Sequence, residues 1–361
     1  MITACGMDIG SNSFRLLVAE VEDGRLRPLI QDLVTVRLGD GLWASGLLAP
    51  AAMLRGEAAL VRFVEKMAPY LLHVIDHEVS PQGSNNHGIS GHTVPQVAAS
   101  GTAMRTFVRE PDRSQQDVVP CGRLPLHSVR VCTTHAVRQA ANSQDFLSRA
   151  EALVGLPIEV LSGEEEARLA LLGALSALPE EQLREPLLLA DVGGGSTEII
   201  LQDAIGSESR LISLPLGAVG LSEEFGADRQ AMREKIRETL TPALRSIGGE
   251  NTVGQGLSLV ACGGTATSLA ALALGLERYD ARQVQNYLLH QPALHRLVAW
   301  LAALSPAERN ILPGLADGRG EIIVAGALIL QELQQALASP PLLVSDAGLL
   351  EGILLSGATD C

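Results

Sequence analysis

Two short stretches of this chain carry the residue types needed to hold an anion beside a cation. In "MDIGSNSFRLL" (Met7–Leu17) and "ADVGGGSTEII" (Ala190–Ile200), an ungapped alignment sets Asp8 against Asp191, Gly10 against Gly193 and Ser13 against Ser196. Each reads as a strand ending in a carboxylate, then a glycine that turns without a Cβ. The small polar residues that follow offer amides and hydroxyls as a nest for phosphate oxygens. Ser11, Asn12 and Ser13 supply that nest in the first copy, and Gly193, Gly194, Gly195, Ser196 and Thr197 in the second. A lone copy is the signature of an ordinary hairpin. Two copies, one per half of the chain and facing each other across a cleft, point to phosphate. Carboxylates beside phosphate need a cation, so Mg²⁺ or another divalent ion on Asp191, Glu198 or both is the natural inference. The position matching Glu198 in the first copy is Arg15, a direct phosphate contact.

Three further segments could join such a site. "SGEEEARL" (Ser162–Leu169) opens a helix with an acidic first turn, which the helix dipole favours. Glu164 reads as a solvated cap, while either Glu165 or Glu166 would face the cleft and deprotonate a water. Arg138, beside a strand-to-helix turn, is a better phosphate candidate than Arg168, whose default role is to pair with a carboxylate. "ACGGTATSLAALALG" (Ala261–Gly275) sets Gly263, Gly264 and Thr265 at a strand end opening a helix, where a phosphate or nucleotide would be welcome. The pairs His87/His92 and His290/His295 have no third ligand type near them, so loop and surface roles are assigned to them.

The elements that must position these residues alternate between strand and helix. "MDIGSNSFRLLVAEVEDGRLRPLIQDLVTVRL" reads as strand, turn, strand, an Asp23-Gly24 hairpin turn and a third strand. A helix over about Ala51–His73 follows. Asp76–Leu126, rich in Pro, Gly, Ser, Asn and Gln, reads as a long inserted loop. A strand through Val131, a helix from His135, a short strand in "LPIEVLS" and the acidic helix come next. "PLLLADVGGGSTEIIL" is the second strand-turn-strand, with a third strand in "LISLPLGAVGL". Helices over Arg229–Leu244, Pro292–Leu304 and Gly320–Leu337 precede a closing strand, turn and helix in "LLVSDAGLLEGILL". The expectation is two α/β domains on one duplicated plan around a cleft. Residues 1–165 form the first, with the 76–126 insertion and a closing segment 343–361, and residues 166–342 form the second.

Composition sets the bounds. With 361 residues, 47% hydrophobic and 19% charged, the chain can bury two sizeable cores. A formal net charge of −14 argues against broad binding to nucleic acid or anionic membranes. The five cysteines, Cys5, Cys121, Cys132, Cys262 and Cys361, are scattered without a C-x-x-C pair and read as thiols in a reducing cytosol. No export signal is evident at the N-terminus, and a cytoplasmic location is expected. The uncharged run Asn251–Leu276 is diluted by glycine and hydroxyl residues, and reads as buried strand, turn and helix rather than a membrane span.

Taken together, these motifs resemble the Ppx/GppA exopolyphosphatase and guanosine pentaphosphate phosphohydrolases, within the acetate and sugar kinase, Hsp70 and actin superfamily. "DIGSNSFRLLVAEV" is similar to the family's first phosphate loop and "DVGGGSTEI" to its second. "TTHAVRQAANSQDFLSRAE" is similar to its Arg-bearing helix, "IEVLSGEEEARL" to its catalytic-glutamate segment, and "LPLGAVGL" to the strand after the second loop. "GGTATSLAALALG" corresponds to the superfamily's nucleotide loop. The resemblance implies two actin-like (ribonuclease H-like) domains. It implies Glu166 as the base that activates water, and Asp191 and Glu198 as carboxylates that hold Mg²⁺ and position the water. Ser11, Asn12, Ser13, Arg15, Arg138 and the Gly194–Thr197 loop are implied phosphate contacts. "ASGTAMR" (Ala99–Arg105) imitates the pattern before Arg138, but the downstream order of motifs favours Arg138. The extra C-terminal helical domains of longer relatives are not expected, which argues against processive handling of long polyphosphate and leaves short chains or pppGpp open as substrate. Homodimers are common in the family.

The reaction expected is release of orthophosphate from polyphosphate, from pppGpp, or both. A small-molecule kinase of the same superfamily would be expected to carry an Asp base near a sugar or acyl pocket, whereas this chain puts its acids at 164–166. An actin-like or chaperone-type ATPase would need a polymerising or peptide-binding appendage.

Overall fold

The computed structural model describes residues 2–71, 126–248 and 256–359. The 76–125 part of the expected insertion, with its histidines and the Ala99–Arg105 mimic, lies outside the described residues. So do Cys121, Cys361 and Asn251–Gln255. The first half runs β1 (Ile2–Ile9), β2 (Ser13–Glu22), β3 (Arg25–Thr35), α1 (Leu42–Ser45), α2 (Pro50–Leu71), β4 (Leu126–Thr133), α3 (His135–Gln139), α4 (Ser143–Val154) and β5 (Glu159–Val160). The second runs α5 (Gly163–Ala177), β6 (Leu187–Val192), β7 (Thr197–Gln202), β8 (Ser209–Leu214), α6 (Ala218–Phe225), α7 (Arg229–Ser246), β9 (Ser258–Cys262) and α8 (Gly263–Leu274). It continues with α9 (Ala281–Val284), β10 (Leu288–Leu289), α10 (Gln291–Ala303), α11 (Pro306–Asn310), α12 (Ile323–Ala336), β11 (Leu342–Val344) and α13 (Leu349–Thr359).

Among the described residues the strands form two sheets, ordered β3-β2-β1-β4-β5 and β10-β11-β9-β6-β7-β8. In each, an antiparallel three-strand meander continues into parallel strands from its first member: β1 pairs β4, and β6 pairs β9. The duplicated plan is therefore present in hydrogen bonding as well as in motif. The Asp23-Gly24 turn has positive φ at both residues (50° and 73°), as a tight hairpin of this twist requires. β6 is buried from end to end, and β1 from Thr3 onward, because each has strands on both sides and helices on both faces.

Two expected elements differ. The strand foreseen in "LISLPLGAVGL" ends at Leu214, and Ala218–Leu221 opens α6 instead. The Ala218 and Val219 amides donate to the Gly193 and Gly194 carbonyls at 3.0 and 2.8 Å, so this segment clamps the second loop. The helix from His135 breaks after Gln139, and α4 restarts at Ser143. Asn142 holds the break by accepting the Leu48 amide and donating to the Leu48 carbonyl.

The cores are aliphatic. On the first sheet Met7, Phe14 and Leu16 pack with Phe63 of α2 and Phe146 of α4, the rings of Phe14 and Phe146 lying 6.4 Å apart. Its opposite face, through Ala4, Leu17 and Ala19, meets Leu350 and Leu354 of α13. α13 and α5 cross at bare backbone: a Cβ on Gly173 would lie 2.7 Å from the Gly352 nitrogen, and one on Gly352 2.6 Å from the Leu169 carbonyl carbon. Alanine at either glycine would gain about 1 kcal/mol of helix propensity. The clash is with backbone and cannot be relieved by a rotamer, so overpacking of about 1–3 kcal/mol or more prevails. Gly352→Ala is expected to lower the midpoint of urea unfolding, and an unchanged midpoint would show that the helices can part freely. Among the described residues no helix is long and apolar enough to cross a membrane.

Candidate active site

The two loops repeat one hydrogen bond. The Gly10 amide donates to the Ser13 carbonyl at 3.2 Å, and Gly193 to Ser196 at 2.9 Å. A Cβ at Gly10 or Gly193 would approach those same carbonyls to 2.9 and 3.1 Å, which is why glycine stands there. The loops face each other, since a Cβ on Gly194 would lie 3.3 Å from the Asn12 amide and one on Gly195 2.9 Å from the Ser11 hydroxyl. Between them opens a cavity of about 680 Å³.

Strand register places Asp8 opposite Arg15 and Asp191 opposite Glu198. In the first sheet the Arg15 Nε and Nη2 donate to Asp8 Oδ2 at 3.0 and 2.9 Å, so that aspartate is matched. In the second sheet two carboxylates stand side by side. Glu198 is 1% exposed and accepts the Ser213 hydroxyl at 2.7 Å.

The acidic helix resolves its three glutamates by burial. Glu164 is exposed, and Glu165 is half-buried and pairs with Arg168 at 2.9 Å. Glu166 is buried and lines the cavity. Ser162 caps the helix by accepting the Glu165 amide at 3.1 Å, which fixes the angle at which Glu166 leaves the first turn. The Arg138 guanidinium donates to the Leu161 carbonyl at 2.5 Å and to Glu166 Oε2 at 3.1 Å.

Burial pushes the Glu166 carboxyl up to about 7; Arg138 pulls against this, while Asp191 and Asp8 add to it. Burial and the charges of Glu166 and Asp191 hold Glu198 well above the usual carboxylate range. Asp191 is raised by burial and by Asp8, with Arg15 opposing. Asp8 Oδ1 is buried with no hydrogen-bond partner. The site is thus a nest of carboxylates short of positive charge.

Among the described residues no group of three or more His, Cys, Asp or Glu is arranged to hold a metal ion by itself. Mg²⁺ takes one or two carboxylates and completes its shell with water and phosphate oxygens. The orphaned Asp8 Oδ1, Asp191 and Glu198 are hard oxygen donors that fit such a partial set.

The cavity brings together Ser11, Asn12, Ser13, Arg15, Glu166, Asp191, Gly193, Gly194, Gly195, Ser196, Glu198, Gly263, Gly264 and Thr265. Two expected contacts are not on its wall. Thr197 is fully buried and donates to the Leu216 carbonyl at 2.5 Å, and Arg138 reaches the cavity only through Glu166. Gly263 has φ +80° and closes against Asp191 Oδ1, so the strand end before α8 leans on the carboxylate nest.

Residues beyond the sequence-based set also line the cavity. Asp8 was aligned with Asp191 and could have been assigned from that match alone. Arg319 packs its guanidinium where a Cβ of Gly264 would be, and burial with the neighbouring Arg15 pushes it down to about 10. Glu351 caps the Gly348 amide at 2.8 Å and is raised by burial, with Arg15 opposing. Tyr279 donates to Asp346 at the rim. No local motif marks these three.

Comparison with known proteins bears on the family and the fold. The model of the Ppx/GppA phosphatase family matches residues 120–360. Exopolyphosphatase 2 of Mycobacterium tuberculosis is 28% identical over 372 residues, covering 97% of each chain. Among solved structures, an exopolyphosphatase-like protein superposes with a TM-score of 0.77 at 23% identity, covering 99% of this chain and 98% of that one. The Ppx-GppA enzyme of Aquifex aeolicus superposes at 0.68 with 24% identity, covering 98% and 99%. These two share the fold.

Proposed function

Because the chain belongs to the Ppx/GppA phosphatase family, we propose that it hydrolyses a terminal phosphoanhydride, releasing orthophosphate from inorganic polyphosphate, from pppGpp, or from both. The observation that carries this reading is Glu166: a buried carboxyl pushed up to about 7, on the wall of a cavity between two phosphate-type loops. A base poised near neutral pH can take the proton of an attacking water without being fully neutralised beforehand.

The chain's own groups divide the work. The amides and hydroxyls of Ser11–Ser13 and Gly193–Ser196 would cradle the terminal phosphoryl group, where donors aimed at developing charge contribute most. Arg15, paired with Asp8, supplies fixed positive charge at the cavity wall. Arg138 holds the Glu166 side chain and favours its ionised form. A divalent cation held by Asp8, Asp191 and Glu198 would neutralise charge on the phosphate oxygens. Arg319, which forms no ion pair among the described residues, and the α8 N-terminus line the part of the cavity into which the remainder of a polyphosphate or nucleotide would extend.

The test is phosphate release from polyphosphate, pppGpp and ATP in the presence of Mg²⁺. Release from either of the first two is expected to exceed release from ATP at least tenfold. Equal or exclusive turnover of ATP would replace this reading with that of a superfamily ATPase, and phosphate transfer to a small-molecule acceptor would replace it with a kinase.

A further inference from the structure

A second cavity, of about 720 Å³, lies behind the first phosphate loop and is walled by α6, α7, the turn into α11 and the start of α12. Asn12 lines both cavities. In the second, Arg309 is 8% exposed, and its Nε is buried with no hydrogen-bond partner. No carboxylate among the described residues forms an ion pair with it. A buried Nε without a partner costs free energy that an anion in the cavity would relieve.

The acids on the same walls are committed elsewhere. Asp40 pairs with Arg55 at 3.1 Å, Glu321 with Arg37 at 2.7 Å, and the exposed Glu223 accepts the Gly41 amide at 2.7 Å. Arg229, also on the wall, donates to the Ala302 carbonyl at 3.2 Å and to no carboxylate among the described residues. Burial lowers the pKa of Arg309, with Glu321 acting the other way, yet an arginine stays charged in a protein.

We propose that this cavity is a second anion site, taking a phosphoryl group between Arg309 and Arg229. Two guanidinium groups with no carboxylate ion pair among the described residues match a doubly charged oxyanion, and the planar fork of arginine binds phosphate oxygens in pairs. The volume is in the range of small-molecule sites. The inference rests on these residues and not on which phosphoanhydride the interdomain cavity hydrolyses.

Isothermal calorimetry on the Glu166→Gln protein, in which turnover is suppressed, separates the sites. Orthophosphate, tripolyphosphate and ATP are titrated in turn, and at least one is expected to bind at two sites per chain. Adding Arg309→Met is expected to weaken one of the two by about tenfold or more and to leave the other unchanged. Loss with orthophosphate identifies a free anion as the ligand, and loss with ATP or tripolyphosphate alone identifies the phosphate end of a larger molecule. In the otherwise wild-type enzyme Arg309→Met should keep its rate of phosphate release. Without ligand it should melt at or above the wild-type temperature, because a buried charge is gone. Arg229→Gln, at an exposed position, should weaken the same site if Arg309→Met does not fold. Binding of all three ligands that is indifferent to both variants, at one site or at two, overturns the proposal, whereas a single site lost in Arg309→Met or Arg229→Gln keeps it and counts against binding in the interdomain cavity.

Discussion

Glu166→Gln is expected to lower kcat for phosphate release by about 10²- to 10⁴-fold, the range lost when a positioned general base is removed. Glutamine preserves the shape and can still accept the Arg138 hydrogen bond now made by Glu166 Oε2 at 3.1 Å, so the loss reports proton abstraction rather than collapse of the site. The pH dependence carries the sign. A base works only when ionised, and burial pushes this carboxyl up to about 7, so wild-type kcat should fall about tenfold per pH unit below that value. Bound cation would cancel the part of the shift due to Asp191 and Asp8, moving the midpoint of this limb downward as Mg²⁺ saturates. The residual activity of the glutamine variant should lack the limb altogether. Glu165→Gln is the control, because Glu165 pairs with Arg168 away from the cavity and its loss should leave kcat within a fewfold of wild type. Retention of the acid limb in Glu166→Gln would assign the base to another group.

What sequence could and could not reveal follows from the range of the interactions involved. The two glycine loops are legible because their turn is made within four residues: a glycine amide bonding a carbonyl three positions on is a local event, repeated in both copies. The facing of Glu166 is not local in that sense. α5 buries Ala167, Leu169, Ala170, Leu171 and Ala174, a stripe too broad to point out one face, and the choice between Glu165 and Glu166 comes from packing against the second sheet and α13. Thr197 misleads for a related reason: every residue of β7 is buried, so no polar alternation tells which hydroxyl faces a ligand. "AVGL" is a short apolar run that fits strand and helix alike, and the Gly193 and Gly194 carbonyls decide for helix by accepting its first amides. Arg319 and Glu351 enter the cavity against Gly264 and Arg15, partners far away in the chain, and nothing in their own neighbourhoods marks them.

Glu198→Gln is expected to abolish activity while stabilising the metal-free protein at alkaline pH. Glu198 stands opposite Asp191, fully buried, and its carboxyl is held well above the usual range by burial and by Glu166 and Asp191. A group whose pKa is raised on folding contributes its stability in full below the unfolded value and loses it as pH rises through the folded value. The metal-free wild type should therefore weaken from about pH 5 upward, at about 1.4 kcal/mol for each tenfold change in proton affinity. Glutamine, neutral at every pH, flattens that slope and should melt higher than wild type at pH 8, by about 2–4 °C per kcal/mol for units of this size. Divalent cation reverses the order. A cation on Asp8, Asp191 and Glu198 would supply the missing positive charge in the wild type, so Mg²⁺ should raise its melting temperature and restore stability at alkaline pH, with a smaller rise in the variant. Melting curves from pH 5 to 9, with and without Mg²⁺, read both effects without relying on turnover. If the variant melts lower than wild type in the metal-free protein at pH 8, the carboxylates are not in charge conflict. If Mg²⁺ raises both proteins equally, Glu198 is not among its ligands.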